Sequence, residues 1–239
     1  MIAFSKRRII FIIIVLAICW MTFNITFCSI NSRASRVHVS FDFDDVEIKS
    51  TVSSINIVED DINKVLIKID GNTKELAKGE EYTIKTKNKA FITVPRNLDS
   101  IKIESVSGFI SAYELSAKDI EINSVSGSIF GSDSNKPDDV LLNSVSGAIE
   151  YTSSTDSDFT AQTISGSVNV KSHAEDIKIK SVSGSLALDN EDSDSSFKFT
   201  TVSGSWQYDN QNGLGEIEIS NSSEKMIHAE TVSGSVKVY

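Results

Sequence analysis

Ile177-Lys178-Ile179-Lys180-Ser181-Val182-Ser183-Gly184-Ser185-Leu186-Ala187-Leu188 decides the fold. Aliphatic residues alternate with lysine from 177 to 180, and alternation returns at Leu186 and Leu188. Period two is the pattern of strands with one covered face. Ser-Val-Ser-Gly stands between the two runs, so the chain bends there, and the glycine is expected to supply backbone angles that other residues resist.

The motif recurs along the chain, with glycines at Gly108, Gly127, Gly147, Gly166, Gly184, Gly204 and Gly234, separated by 19, 20, 19, 18, 20 and 30 residues. A period near twenty signals stacked repeats. With each glycine at zero, position −7 reads Ile101, Ile120, Val140, Phe159, Ile177, Phe197 and Ile227, and −5 reads Ile103, Ile122, Leu142, Ala161, Ile179, Phe199 and Ala229. Position +2 is Ile110, Ile129, Ile149, Val168, Leu186, Trp206 and Val236, with a looser set at +4. Position −2 is Val106, Val125, Val145, Ile164, Val182, Val202 and Val232, and this column is expected to be a core ladder. On that assignment Val182→Asp buries an unpaired charge, whereas Ser185→Asp faces outward.

One repeat cannot cover its own apolar row, but like rows stacked on like rows make a continuous core. The expected fold is therefore all-β: a single-chain β-solenoid, β-helix-like, of about seven regular coils of ~19 residues with equivalent strands parallel. At ~4.8 Å per coil, seven coils span roughly 30 Å. Residues 96–239 form the repeat region, and residues 38–95 form a degenerate capping region. In the latter, 46–57 imitates a repeat without its glycine, Ala90 stands where a glycine would sit before Phe91-Ile92-Thr93-Val94, and Gly71-Asn72 makes a turn. The 30-residue gap before Gly234 holds Glu216-Ile217-Glu218-Ile219, which is expected to fold over the last coil and shield Val236 and Val238 from other chains.

The first 36 residues are of another kind. Residues 1–8 are a basic stub with Lys6-Arg7-Arg8, and 9–30 are almost wholly apolar, just long enough for one transmembrane helix. The basic cluster keeps the stub cytoplasmic and sends the body outward. A signal-anchor, a cleaved signal peptide and a lipidated Cys19 or Cys28 all place residues after about 31 outside the cytoplasm, with 31–37 as linker. The membrane is thus a partner through the N-terminal helix.

The whole chain carries −10, and residues 37–239 carry −15, since five cations and no acid lie before them. So acidic a body repels nucleic acid. It holds no cysteine, hence no disulfide framework and no thiolate metal site.

The anchor, Ile92-Thr93-Val94-Pro95 and the repeated Ser-Val-Ser-Gly units together resemble a bacterial family of proposed adhesins, domain of unknown function 4097. The likeness covers roughly residues 38–239. It implies a β-solenoid at the cell envelope, with adhesion or service to an envelope-stress system as its role, and it brings no catalytic residues.

The residues themselves offer little chemistry. Serine or threonine fills −3 (Ser105 to Thr231) and serine fills −1 (Ser107 to Ser233), columns suited to bonding the corner backbone or to running along the stack. The acid clusters at Asp42, Asp44 and Asp45, at Asp156 and Asp158, and at Asp189, Glu191, Asp192 and Asp194 match no calcium-loop pattern. His38, His173 and His228 are far apart in sequence, and no Gly-x-Ser-x-Gly elbow or phosphate loop occurs. No catalytic, cofactor or metal site is expected. The expected role is a non-enzymatic surface scaffold or adhesin on a bacterial membrane, contacting an envelope protein or glycan. The rival roles are an accessory regulator of envelope-stress sensing, a glycan-active enzyme and a self-assembling filament.

Overall fold

The computed structural model describes residues 35–134, 137–153, 157–173, 176–190, 195–208, 210–220 and 225–239. The expected transmembrane helix at 9–30 lies outside them. Every regular element described is a strand. In chain order these are β1 (Arg36–Asp42), β2 (Asp45–Ser50), β3 (Ile55–Asp60), β4 (Val65–Ile69), β5 (Asn72–Leu76), β6 (Glu80–Lys85), β7 (Ala90–Pro95), β8 (Ser100–Ser105), β9 (Ile110–Leu115), β10 (Asp119–Ser124), β11 (Ile129–Asp133) and β12 (Asp139–Ser144). There follow β13 (Ile149–Ser153), β14 (Asp158–Thr163), β15 (Val168–Ser172), β16 (Asp176–Ser181), β17 (Leu186–Asn190), β18 (Ser196–Thr201), β19 (Ser205–Tyr208), β20 (Gln211–Leu214), β21 (Ile217–Ile219), β22 (Met226–Thr231) and β23 (Ser235–Val238).

Each repeat supplies one strand to each of two sheets. Sheet A runs β21-β18-β22-β16-β14-β12-β10-β8-β2-β1-β6, and sheet B runs β20-β19-β23-β17-β15-β13-β11-β9-β3-β7-β4-β5. Neighbouring coils pair in parallel with like on like: Ile120 meets Ile101 and Val140, and Ile149 meets Ile129 and Val168. The described residues at −7, −5 and +2 are all buried between the sheets. Column volumes are matched locally. Gly131 leaves room for the buried Tyr151, whose ring a Cβ there would meet at 3.0 Å, and Ala229 lies opposite Phe199.

The corner differs from expectation in two ways. First, the −2 column is not core. Val106, Val125, Val145, Ile164, Val182 and Val232 are half-buried and Val202 is exposed. Alternation instead continues one residue further, so that the −3 hydroxyls point inward and are buried, from Ser105 to Thr231. Backbone satisfaction decides this. Ser144 Oγ accepts the Gly147 N–H (2.9 Å) and donates to the Gly147 carbonyl (2.9 Å), bridging the bend. Ser105 does the same for Gly108, and Thr163, Ser181, Thr201 and Thr231 accept the corresponding glycine N–H. A valine in that place would leave buried corner amides without partners.

Second, the repeat glycines do not lie at positive φ. They are needed because coils approach too closely for a side chain. A Cβ on any of the seven would sit 1.9–2.2 Å from a carbonyl oxygen of the adjacent coil. The coil of β2 and β3 shows the converse. It precedes all others, and Ser53 occupies its glycine place, with Oγ donating to the Thr86 carbonyl at 2.9 Å. With no earlier coil to meet, a side chain is tolerated.

The ends are closed by antiparallel strands, which at the N-terminal end of sheet B follow one further parallel strand, β7 on β3, and so cover open sheet edges. At the N-terminal end β1 and β6 close sheet A, while β7, β4 and β5 close sheet B. Ala90 pairs with Ile55 and so stands at the +2 place, not at the glycine place. The turn between β4 and β5 is Asp70-Gly71, both at positive φ (54 and 79), one residue before the expected position. At the other end β20 and β21 cap β19 and β18, the sixth glycine repeat. The seventh repeat, β22 and β23, is not at the edge. It lies between the fifth and the sixth, so Val236 is flanked by Leu186 and Trp206.

Candidate contact surface

Outward side chains are the ones the fold leaves free, and the two sheets use them differently. On sheet A they are mostly charged or amide groups that pair with one another. Lys102 meets Glu121 at 3.1 Å and Glu104 at 3.5 Å, Lys180 meets Glu230 at 3.4 Å, and Lys198 meets Glu218 at 3.2 Å. Asn143 Nδ2 donates to Asn123 Oδ1 at 2.8 Å. Partial burial works against the Lys102 charge, but the two carboxylates outweigh it and hold the ammonium above its usual pKa.

On sheet B the first coils present rings instead. Phe91, Asn56, Ser111 and Phe130 form one outward row across β7, β3, β9 and β11. Three strand spacings make that row ~14 Å long. Phe109 lies beside Phe130 with ring centroids 6.5 Å apart. Two residues further along the same strands stand Val58 and Tyr113. Phe91, Val58, Phe109 and Tyr113 are each roughly half exposed (45–58%). Lys89 holds its ammonium 5.0 Å from the Phe91 ring centre, and Lys68 pairs with Phe91 across β4.

A bulge shapes this surface. Glu114 takes a positive φ of 58 and is an extra residue in the β9–β11 ladder, so Leu115 rather than Glu114 falls opposite Asp133. Tyr113 and Glu114 are consequently exposed in succession. Left-handed backbone at a residue with a side chain is strained, and bulges of this kind re-aim side chains. Ser132 Oγ and Ser134 Oγ fasten the bulge through the Glu114 amide and carbonyl.

The hydroxyl columns are structural. Besides the inward −3 bridges, the −1 serines donate along the stack to the −2 carbonyl of the neighbouring coil, as Ser126 does to Val106 at 3.0 Å and Ser146 to Val125 at 3.3 Å. Among the acids, Asp44 pairs with Lys78 at 2.5 Å and Asp45 accepts from Ser100. Asp156, Glu191, Asp192 and Asp194 lie outside the described residues. Asp119, Asp139, Asp158 and Asp176 stack in register at the strand starts, a column unnoticed in the sequence although each stands eight residues before a glycine. Slight burial and then the charges of Asp139 and Asp138 push the Asp119 pKa up.

His38 bonds Thr83, and His228 lies on β22 between Lys178 and Lys198. His173 follows β15, so the three remain apart. Among the described residues no three His, Cys, Asp or Glu side chains converge as metal ligands. Glu59 is pushed up by burial, opposed by bonds from the Ser116 amide and hydroxyl and by Arg96. Burial, with the adjacent Asp133 charge, likewise pushes the Tyr151 phenol well up and keeps it neutral.

Two parallel sheets wound from one repeated corner, with antiparallel caps at both ends, define a repeat β-solenoid. Residues 29–239 match the Toastrack DUF4097 family, and the chain belongs to it. Neither the curated proteins nor the solved structures gave a match to this chain.

Proposed function

We propose that this chain is a non-enzymatic binding scaffold of the bacterial cell envelope, held to the membrane by its N-terminal segment with the solenoid outside, and that the aromatic face of sheet B makes its contact. The observation that carries this is the row from Phe91 to Phe130 with Phe109, Tyr113 and Val58 beside it. Large apolar groups gathered outward on neighbouring strands, and not needed by the core, mark interaction surfaces. Rings flanking Asn56 and Ser111, with Lys89 beside Phe91 and Glu114 beside Tyr113 as nearby charges, suit the apolar faces and hydroxyls of an uncharged envelope glycan. The acidity of the body disfavours polyanionic partners.

The test compares two triple variants of the full chain. One carries Phe91→Ser, Phe109→Ser and Phe130→Ser; the other carries Lys102→Ser, Glu121→Ser and Lys178→Ser on sheet A. Co-sedimentation with purified wall polysaccharide should weaken at least tenfold for the first and stay unchanged for the second. Equal binding by both variants would remove the aromatic face from the account. Binding only to an envelope protein would reassign the partner.

A further inference from the structure

One corner at the N-terminal end of the stack carries charge of the opposite sign to the body as a whole. Arg36 and Lys85 are register partners on β1 and β6, and their neighbours Val37 and Thr86 are buried, so both point outward from sheet A. Lys87 follows Thr86, and all three cations are exposed. Residues 85–89 read Lys-Thr-Lys-Asn-Lys, and no acid lies from Arg36 to Ser40. No ion pair among the described residues uses Arg36, Lys85 or Lys87, whereas Lys49, Lys64 and Lys78 of the same end are each bound to a carboxylate. Asp70 reaches this corner, where it accepts from Asn88 Nδ2. Asp42, Glu80 and Glu81 stand at the other end of β1 and β6, roughly 17 Å away along the strands. We propose that this cationic corner rests on anionic phospholipid headgroups at the membrane surface, so that the solenoid is seated as well as tethered.

The place where the chain enters the fold carries the inference. The Ser35 carbonyl accepts the Thr86 N–H at 3.1 Å, and the Ser35 hydroxyl donates to the Thr86 carbonyl. The Arg36 carbonyl accepts the Thr51 N–H at 3.0 Å. The three cations therefore surround the point where the polypeptide arrives. Ile30, the end of the apolar run, is five residue steps from Ser35, a reach of at most ~17 Å. On the membrane-held reading, on which this docking rests, that tether keeps the corner within about two Debye lengths of the headgroups. Basic groups so placed are drawn to anionic lipid, and the encounter is intramolecular, so individually weak contacts suffice.

The form of the corner selects a surface over a single bound anion. Its cations stand on separate stretches of backbone, in water, and enclose no pocket. They match many headgroups at once. Residues 37–239 carry −15 overall, so the same lipid repels the rest of the body. Attraction at one corner and repulsion elsewhere favour one orientation, with Arg36, Lys85 and Lys87 toward the membrane.

Val52 and Ser203 occupy the same exposed place of the corner, one residue before Ser53 and Gly204, on the first coil and the last coil in space. Seven strand spacings, ~34 Å, separate them. With Cys19 and Cys28 replaced by serine, the full chain carries a fluorophore at Val52→Cys or Ser203→Cys. It is reconstituted in phosphatidylcholine vesicles, with or without phosphatidylglycerol, that contain a nitroxide-headgroup lipid. Quenching at Val52→Cys should rise several-fold with phosphatidylglycerol and fall back in 0.5 M salt. It should fall back equally in the triple variant Arg36→Gln, Lys85→Gln and Lys87→Gln, but not in Lys118→Gln, Lys178→Gln and Lys237→Gln. Ser203→Cys should stay unquenched throughout. Quenching at Val52→Cys that is equal in both vesicles, or that survives the corner variant, would overturn the proposal. So would a corner that binds soluble polyphosphate while the vesicle label stays unquenched. Alkaline carbonate extraction reads the anchor separately: release of the chain would sink the membrane-held reading, and the phosphatidylglycerol dependence would still decide the docking.

Discussion

The outer faces of sheets A and B are built on one backbone and one interior, yet they treat solvent differently. Sheet A turns lysines, glutamates and amides outward and lets them satisfy one another, as Lys102 does with Glu121 and Asn143 with Asn123. Sheet B, over its first coils, turns Phe91, Phe109, Tyr113 and Phe130 outward, with Lys89 over Phe91 and Phe109 beside Phe130 but with each ring still partly open to solvent. The stack places the same demand on both, namely alternation with like on like. What differs is therefore free of the fold. A face that pairs with itself is closed to others, while a face of half-covered rings remains open to a partner.

The comparison requires that both faces hang on the same corner. The strongest way to break it is Gly147→Ala, which drives a methyl toward the Gly127 carbonyl oxygen and forces coils apart. Overpacking against backbone should cost about 3 kcal/mol, read as a lower urea midpoint. Loss should appear together in strand signal and in wall-polymer binding. Loss of one without the other would uncouple the faces.

A smaller effect sharpens which side of the corner is inside. Ser144→Ala leaves the Gly147 N–H and carbonyl without their bridge and should cost about 1–3 kcal/mol. Val182→Asp, by contrast, lands on the half-exposed ridge and should cost about 1 kcal/mol or less. The reverse ranking would restore the valine column to the core.

On sheet A, Lys102→Ala should cost at most about 1 kcal/mol. The difference should shrink in 1 M salt, because the pairs are partly exposed. Smallest is Asp119→Asn. The folded pKa of Asp119 is raised above 3.8, so the folded state holds its proton more tightly and stability falls as pH rises through the window above 3.8. The variant should gain at most about 0.5 kcal/mol at pH 7, a gain that disappears below that window. A loss at pH 7 would mean that the acid column is held by something attractive.

Much of the fold was legible because the repeat places chemically equal residues at equal offsets. The −7, −5 and +2 columns, the parallel register and the capped ends follow from that spacing. The valine column at −2 misled because hydrophobicity was weighed without asking where the corner amides find partners, and serine at −3 answers that question. The glycines were rightly singled out for a mistaken reason: proximity of neighbouring coils leaves no trace in one repeat read alone. The position of the seventh repeat was hidden, since Gly234 fits equally well at the end or one place inward. The contact surface had a visible signal that parity would have caught. Phe109 at +1, Phe130 at +3 and Tyr113 at +5 are large apolar residues at outward positions, where the repeats from Gly147 onward carry small or polar residues, Tyr239 at +5 of the last one excepted.

The body lacks cysteine, so single thiols can report directly which side chains face water. Four variants of the full chain, with Cys19 and Cys28 replaced by serine, place cysteine at Ser144, Val145, Ile149 or Phe130. Labelling of the native protein should be rapid for Val145→Cys and Phe130→Cys, and should await unfolding for Ser144→Cys and Ile149→Cys. Ser144→Cys reacting as fast as Val145→Cys in the folded protein would contradict the stacked corner on which both faces depend.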